Sequence, residues 1–513
     1  MTDLLTALLA TCDARGDAPA LRADSARLTY RGLGARIRAT AAGLRAAGLA
    51  DGDRVLFSVR PEPAGVVLAL GIVAAGGTVV FADPGAGPEL FAARLAHTAP
   101  RWAAAESLLY GVSAWRATRS LARRRGVLLP AYDRLPVRHV YAGRWLPGVP
   151  RGALSAARLA RFPGMSAVDD AADREALIVF TSGTSAAPRA VVHTRGSLGA
   201  GLSVLAGRCA LGPHDVVHTD QLMLGLPALV AGALWTMPPY GLAPAADPVR
   251  YAAGLTGVSH TFCVPADFAA VLDAIDAGRV AAPAGLRHVL LGGAPVGPPL
   301  LRRARQVLPG TEILSVYGMT EILPVATATA EDKLAHRGPG DLAGAPLPGV
   351  RARLADDGEL LVRGPNLCSG YLGEPPMTEH ATGDLARLDG DRIVLIGRKK
   401  DMIIRGRVNI YPGLYEPAIA RLDGVAQAVL VGLPGPFGDE RVALAVVPSD
   451  PEDAAGSPER LAAAVRAALP GVLDAGALPD AVYVVPAIPV AGRTSKPDRD
   501  ALRTLLEARC ASR

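Results

Sequence analysis

Residues 178–192 read IVFTSGTSAAPRAVV. The apolar, β-prone run Leu177-Ile178-Val179-Phe180 stops at Thr181-Ser182-Gly183-Thr184-Ser185. After Ala186-Ala187-Pro188-Arg189 a second β-prone run, Val191-Val192, begins. The pattern predicts strand, hydroxyl-rich turn, strand. Such a loop gathers hydroxyl donors and free backbone N–H groups in a small space. Gly183 lets the backbone come close to a ligand and Arg189 adds positive charge, a combination that suits a polyphosphate. An ordinary Ser/Thr-rich surface turn has the same composition, so the rest of the chain must decide.

Working outward, 513 residues exceed one compact core, and two or more domains are expected. Half the residues are hydrophobic and 20% charged, the make-up of a soluble globular enzyme. The net charge of +6 is modest, and its arginines are scattered without aromatic interleaving. Nucleic-acid binding is therefore not expected, whereas an anionic substrate fits. Cys12, Cys209, Cys263, Cys368 and Cys510 lie far apart, which predicts reduced, incidental thiols in a cytoplasmic protein. The N-terminal stretch lacks a basic n-region and does not read as a signal peptide. Gly65–Ala82 is long enough to raise the question of a membrane span. It contains Gly71, Gly76 and Gly77 and ends in Thr78-Val79-Val80-Phe81, so a buried helix and strand, with no stable membrane insertion, is expected.

Val55–Val59, a helix over Val66–Ala75 and Thr78–Phe81 form a β-α-β pattern that argues for a parallel, doubly wound sheet. From Val112 to Val168 the pattern degrades. Arg116, Arg119, Arg123, Arg124 and Arg125 read there as a solvated helix face, followed by a surface excursion. Further units end at Gly292-Gly293-Ala294-Pro295 and at Tyr317-Gly318-Met319-Thr320-Glu321. Three strands thus end in small-residue or polar loops, and ligand sites gather at the carboxyl ends of such strands. Arg351–Leu354, Glu359–Arg363 and Arg392–Ile396 make a β-rich stretch. Gly397–Asp401 reads as a hinge, and about a hundred residues beyond it suffice for a small α+β domain. The expected architecture is α/β. It has a large N-terminal domain of doubly wound sheets with a β-rich subdomain (1–397), a hinge (398–401) and a small mobile α+β C-terminal domain (402–513).

Of 54 basic residues only four are lysine, and three of these are Lys399, Lys400 and Lys496. Retention of lysine at the hinge and in the loop Ala491–Lys496 points to sites that need a compact ammonium rather than a planar guanidinium.

Thr181–Val191, Tyr317–Glu321, Thr382-Gly383-Asp384, Gly397–Asp401 with Asn409-Ile410-Tyr411-Pro412, and Gly492–Lys496 stand in one order along the chain. In that order and spacing, from about residue 20 to about residue 505, the chain resembles the adenylate-forming superfamily. That superfamily holds acyl- and aryl-CoA synthetases, nonribosomal peptide adenylation domains and firefly luciferase. The resemblance implies that Thr181, Ser182, Gly183 and Thr184, with Arg189, grip the β- and γ-phosphates of ATP. It further implies that Gly293, Ala294 and Pro295 line the adenine slot, with Tyr317 on the ring. Thr320 would contact the α-phosphate, Glu321 hold Mg²⁺, and Asp384 accept from both ribose hydroxyls with Arg398 nearby. Lys496 would bridge the carboxylate and α-phosphate oxygens, and Lys400 would mark the pivot of the small domain.

The family's usual glycine, lysine and glycine are replaced by Ala186, Arg189 and Ala190. Leu224, Gly225 and Gly318 would border the acid pocket. There the absence of a side chain at Gly225 would leave room, and Leu222, Leu226, Leu229, Val230 and Leu234 favour an apolar acyl chain. The implied partner is a small-molecule carboxylic acid. CoA, or a phosphopantetheine group on an acyl-carrier protein, would accept the acyl group. Two other outcomes remain open. Asp83-Pro84-Gly85 and Tyr317–Val325 resemble olefin-pathway β-lactone synthetases, which act on a β-hydroxy acid. The altered phosphate loop is compatible with a nucleotide-binding relative without turnover.

Overall fold

The run 63–74 is apolar on every side, and it forms a buried helix, Pro63–Ala74, that starts on a proline and leads into the strand Thr78–Phe81. Proline suits the first helical turn, where its missing N–H has no intrahelical partner in any case. A helix hydrophobic all round belongs in a core, and this one sits between the helix Tyr30–Ala46 and the sheet. The computed structural model describes residues 3–24, 26–81, 88–124, 130–164, 167–180, 189–239, 241–405, 408–434, 440–450, 458–473, 477–491 and 496–511.

Thr78–Phe81 lies in an eight-stranded sheet. Across it run 370–371, 190–194, 175–180, 78–81, 54–58, 102–106, 138–142 and 154–155. From 175–180 outward every pairing is parallel, while 190–194 pairs antiparallel with 175–180 and 370–371 closes that edge. Strand 54–58 has its successor 78–81 on one side and 102–106 on the other, the reversal of order that opens a crevice at the carboxyl ends. The two strands expected around residues 178–192 are present as Glu175–Phe180 and Ala190–Thr194, and residues 181–188 between them lie outside the described residues.

The second sheet has thirteen strands in one hydrogen-bonded ladder. Its parallel part runs through Val216–His218, His260–Cys263, His288–Gly292 and Glu312–Met319. Antiparallel strands then continue through Ile322–Thr329, Asp341–Pro346, Arg392–Arg398, His380–Asp389, Glu359–Arg363 and Arg351–Leu354. The β-rich stretch is thus an extension of the same ladder.

Two expectations need correction. Tyr317-Gly318-Met319 does not form a loop: the strand continues through it, and only Thr320-Glu321 turns, because Met319 pairs back onto Ile322. The segment 112–168 is no surface excursion either. Its Arg138–Ala142 and Leu154–Ser155 are parallel strands of the eight-stranded sheet, shortened and widely spaced, so their periodicity is faint in the sequence. Arg125 lies outside the described residues.

Residues 403–506 build their own cores. One is centred on Ile403, Ile419, Leu430, Leu444 and Val465, the other on Val431, Ala445, Leu502 and Leu506. They lie on the two faces of a three-stranded sheet, Val425–Pro434, Glu440–Pro448 and Ala481–Val484.

At the other end of the chain, Asp3 caps the helix Leu4–Arg15 through Leu5 N, 2.7 Å away. Its carboxylate also accepts from Ala171 N and is ion-paired with Arg195, both charged groups being fully buried. Lys333 is buried as well, bonded to Asp341 and to the Leu342 carbonyl. Cys12, Cys209, Cys263 and Cys368 are buried free thiols. Among the described residues no helix is long and apolar enough to cross a membrane.

Candidate active site

The carboxyl ends of His288–Gly292 and Glu312–Met319 lie side by side, in register at Gly292 and Val316. Gly293, at φ +80°, turns the chain away at the strand end, and Ala294 and Pro295 follow it. Positive φ is a conformation glycine adopts without strain.

Asp384 faces this edge from strand His380–Asp389, where it is the direct cross-strand partner of Arg398. The residue is 5% exposed. Oδ1 meets Arg398 Nε at 2.8 Å and Oδ2 accepts from the Tyr317 hydroxyl at 2.7 Å. Each carboxylate oxygen has two acceptor sites, so both keep one free. Burial, reinforced by the Asp384 anion, holds the Tyr317 phenol well above its usual range, so it stays a donor. Gly383, at φ +71°, donates to Glu359, and Glu359 also pairs with Lys399. One carboxylate therefore ties the Asp384 turn to the Lys399–Asp401 turn.

On the opposite side Glu321 is buried and accepts from the Tyr371 hydroxyl at 2.8 Å. The Arg189 guanidinium stacks over the Tyr371 ring, 4.6 Å from its centroid. His193, from the strand after the hydroxyl-rich loop, donates from Nε2 to the Thr320 carbonyl at 2.7 Å, since a carbonyl can only accept. Burial lowers the His193 pKa, which favours the neutral ring. Sequence reasoning missed His193, Tyr371 and Glu359. The sequence offers no marker for them, because each acts across strands distant in the chain.

Lys496 reaches the cluster from the small domain, on the short strand Lys496–Pro497. The residue is open to solvent, yet neighbouring atoms remove part of its hydration. That desolvation, then the Arg398 and Lys400 cations, lowers its pKa, with Asp384 pulling the other way. Thr181, Ser182, Gly183 and Thr184 lie outside the described residues, as does Ala186. Gly318 abuts Leu323, with a Cβ there 2.5 Å from Leu323 Cδ1.

Leu224 and Gly225 do not open a pocket. Leu224 is in the core, and a Cβ on Gly225 would fall 2.1 Å from Trp235 Cε2, so the indole fills the space. The half-exposed residues of this helix, Leu222–Val230, are Leu222, Met223, Leu226 and Val230; Leu222, Leu226 and Val230 lie one turn apart along the edge of the core. Among the described residues no three His, Cys, Asp or Glu side chains converge as a metal site. A magnesium ion held through one carboxylate and substrate phosphates needs no such set. The Tyr371 hydroxyl takes Oε1 of Glu321 and leaves Oε2 without a hydrogen-bond partner among the described residues.

Residues 8–372 match the family described as AMP-binding enzyme, and residues 415–494 match the AMP-binding enzyme C-terminal domain. The chain belongs to the AMP-binding enzyme family. Its composition of domains is that of an AMP-forming carboxylate ligase. It is 31% identical to a feruloyl-CoA synthase from an Amycolatopsis species over 84% of this chain and 86% of that one. A 2-succinylbenzoate–CoA ligase of Bacillus mycoides is 31% identical, with 50% of this chain and 56% of the relative aligned. The 3-[(3aS,4S,7aS)-7a-methyl-1,5-dioxo-octahydro-1H-inden-4-yl]propanoyl:CoA ligase of Rhodococcus jostii is 35% identical over only 35% of each chain. Among solved structures, the anthranilate CoA ligase AuaEII in complex with anthranoyl-AMP superposes with a TM-score of 0.79 at 18% identity. The match covers 99% of this chain and 98% of that one. The amide bond synthetase McbA from Marinactinospora thermotolerans gives 0.74 at 23% identity, over 98% and 99%.

Proposed function

We propose that this protein activates an apolar carboxylic acid with ATP and passes the acyl group to the thiol of CoA. The acid's carboxylate attacks the α-phosphate, pyrophosphate leaves, and the acyl-AMP then reacts with the thiol. The observation that carries the reading is the meeting of Tyr317, Asp384 and Arg398 at the strand ends, with Lys496 of the small domain near enough to feel the charges of Arg398 and Asp384. Two anions must approach in line, so the catalyst has to neutralise charge and hold both reactants.

In this reading Asp384 accepts from the ribose hydroxyls through its free acceptor sites, Tyr317 packs on the adenine beside Gly293, Ala294 and Pro295, and Thr320 meets the α-phosphate. Thr181, Ser182, Gly183, Thr184 and Arg189 take the outer phosphates. Glu321 holds Mg²⁺, which when bound offsets phosphate charge. Lys496 supplies the ammonium that joins carboxylate to α-phosphate, and Lys400 is the pivot between the domains 1–397 and 402–513. Leu222, Leu226 and Val230 offer an apolar face to the acyl chain.

Incubating the protein with ATP, Mg²⁺ and a panel of apolar and 3-hydroxy acids, first without thiol, tests this by mass spectrometry of the products. Acyl-AMP consumed only after CoA is added is the expected result. A dehydrated 3-hydroxy acid released without thiol would replace the transfer step by internal ring closure. No adenylate from any acid, with ATP still bound, would sink the proposal.

Asp384→Asn keeps the shape but removes the anion that Arg398 and the hydroxyls address. It is expected to raise KM for ATP about tenfold or more, on the scale of hydrogen bonds to charged groups. An unchanged KM in a pyrophosphate-exchange assay would take Asp384 out of the nucleotide site. Because Lys496 must be protonated to act and its pKa is lowered, acyl-AMP formation should fall as pH rises through a value below the ordinary lysine range. Whatever rate the bulkier, always charged Lys496→Arg retains should lack that alkaline limb, and a pH–rate profile of both proteins checks it.

A further inference from the structure

The two domains also meet away from Asp384. Gly340 N donates to the Leu414 carbonyl and Arg421 Nη2 to the His336 carbonyl, each at 3.2 Å. Beside this seam opens a cavity of about 750 Å³ lined by Asp332, His336, Arg337, Arg387, Asp389 and Arg392.

Positive charge outweighs negative charge here: Asp332 and Asp389 stand against Arg337, Arg387 and Arg392 in the wall and Arg421 at the seam. Arg337, Arg387 and Arg421 donate to the carbonyls of Leu334, Pro339 and His336, and among the described residues none of the three has a carboxylate partner. The acids in the wall are already engaged, Asp332 with Thr329 and Asp389 with Arg392. Arg387 Nε and His336 Nε2 are buried without any hydrogen-bond partner. They sit together over Gly338, where a Cβ would lie 2.6 Å from Arg387 Nη2 and 3.2 Å from His336 Cε1. Burial, then Arg337 and Arg302, lowers the Arg421 pKa, and burial, then Arg387 and Arg421, lowers that of His336.

Unpartnered buried donors and crowded guanidinium groups both cost free energy, and a planar fork matches an oxyanion in two hydrogen bonds. We propose that the seam binds an oxyanion of the phosphate class, which bridges Arg337 and Arg387 of the large domain to Arg421 of the small one. The bound anion holds the domains in the arrangement in which Lys496 faces Asp384. The phosphate can be free or carried by a larger metabolite, since the recognised group is the same.

The test compares the full chain with Arg421→Gln and with the double variant Arg337→Gln/Arg387→Gln, each titrated with inorganic phosphate against chloride at equal ionic strength. The unsubstituted protein is expected to show a saturable rise in Tm of about 2 °C. Cleavage after Lys399 and Lys400 by a lysine-specific protease should slow over the same concentration range. Both responses should vanish in the variants. Equal responses in all three proteins would mean only the general stabilising action of phosphate and would overturn the site. Should the double variant fail to fold, Arg421→Gln alone decides. Glycerol phosphate in a second titration separates the sources: a response equal to that of inorganic phosphate means an ester-borne phosphate is accepted, and none means the free ion.

Discussion

Lys496→Ala is expected to slow acyl-AMP formation about a hundredfold or more while ATP binds with little change, as for other groups aimed at transition-state charge. The ammonium arrives on the small domain, and its field is felt together with those of Arg398 and Asp384. Arg398 is committed to Asp384, so it offers no substitute for the lost charge at the reacting oxygens. Single-turnover measurement of acyl-AMP, with ATP affinity by calorimetry, separates the two quantities. Equal losses in rate and in ATP affinity would recast Lys496 as a nucleotide-binding residue. An unaffected rate would remove it from the chemistry.

The largest expected change in stability comes from the buried pair of Asp3 and Arg195. Asp3→Asn keeps the side-chain oxygen that caps the helix Leu4–Arg15 but leaves the Arg195 cation buried without a counter-charge. Breaking such a pair from one side costs about 3–5 kcal/mol. Replacing both, Asp3→Leu with Arg195→Met, should recover much of that, because the desolvation cost disappears with the charges. Urea midpoints for the two single replacements and the double one decide it. A change of about 0.5 kcal/mol or less for Asp3→Asn would be surface behaviour and would contradict the burial.

Much of the α/β scheme was legible because the strands of the parallel sheets are continuous apolar runs closed by glycine, proline or aspartate. Thr78–Phe81 and His288–Gly292 are examples. Arg138–Ala142 hid among arginines, since its inward residues are only Val140 and Ala142. The motif residues around 317–321, 384 and 398 could be named from the chain, but not what holds them. Asp384 meets Arg398 through strand register, Glu321 meets Tyr371 over 50 positions, and His193 meets Thr320 over 127. Pairings of that range depend on how sheets stack, and local pattern carries no record of it. Gly225 failed for the same reason: the residue that fills its space, Trp235, belongs to another element.

The shortage of lysine gives the protein an internal chemical reporter. Of its four lysines only Lys333 is buried, which leaves the hinge pair Lys399 and Lys400, and Lys496, as the open side-chain amines. An amine-directed label, read by mass spectrometry, would therefore sample little besides the hinge pair and the proposed ammonium, together with the chain's amino terminus. Labelling rates at those positions become a footprint of where the small domain stands at each stage of turnover. No cysteine need be engineered and no fluorophore attached to follow it.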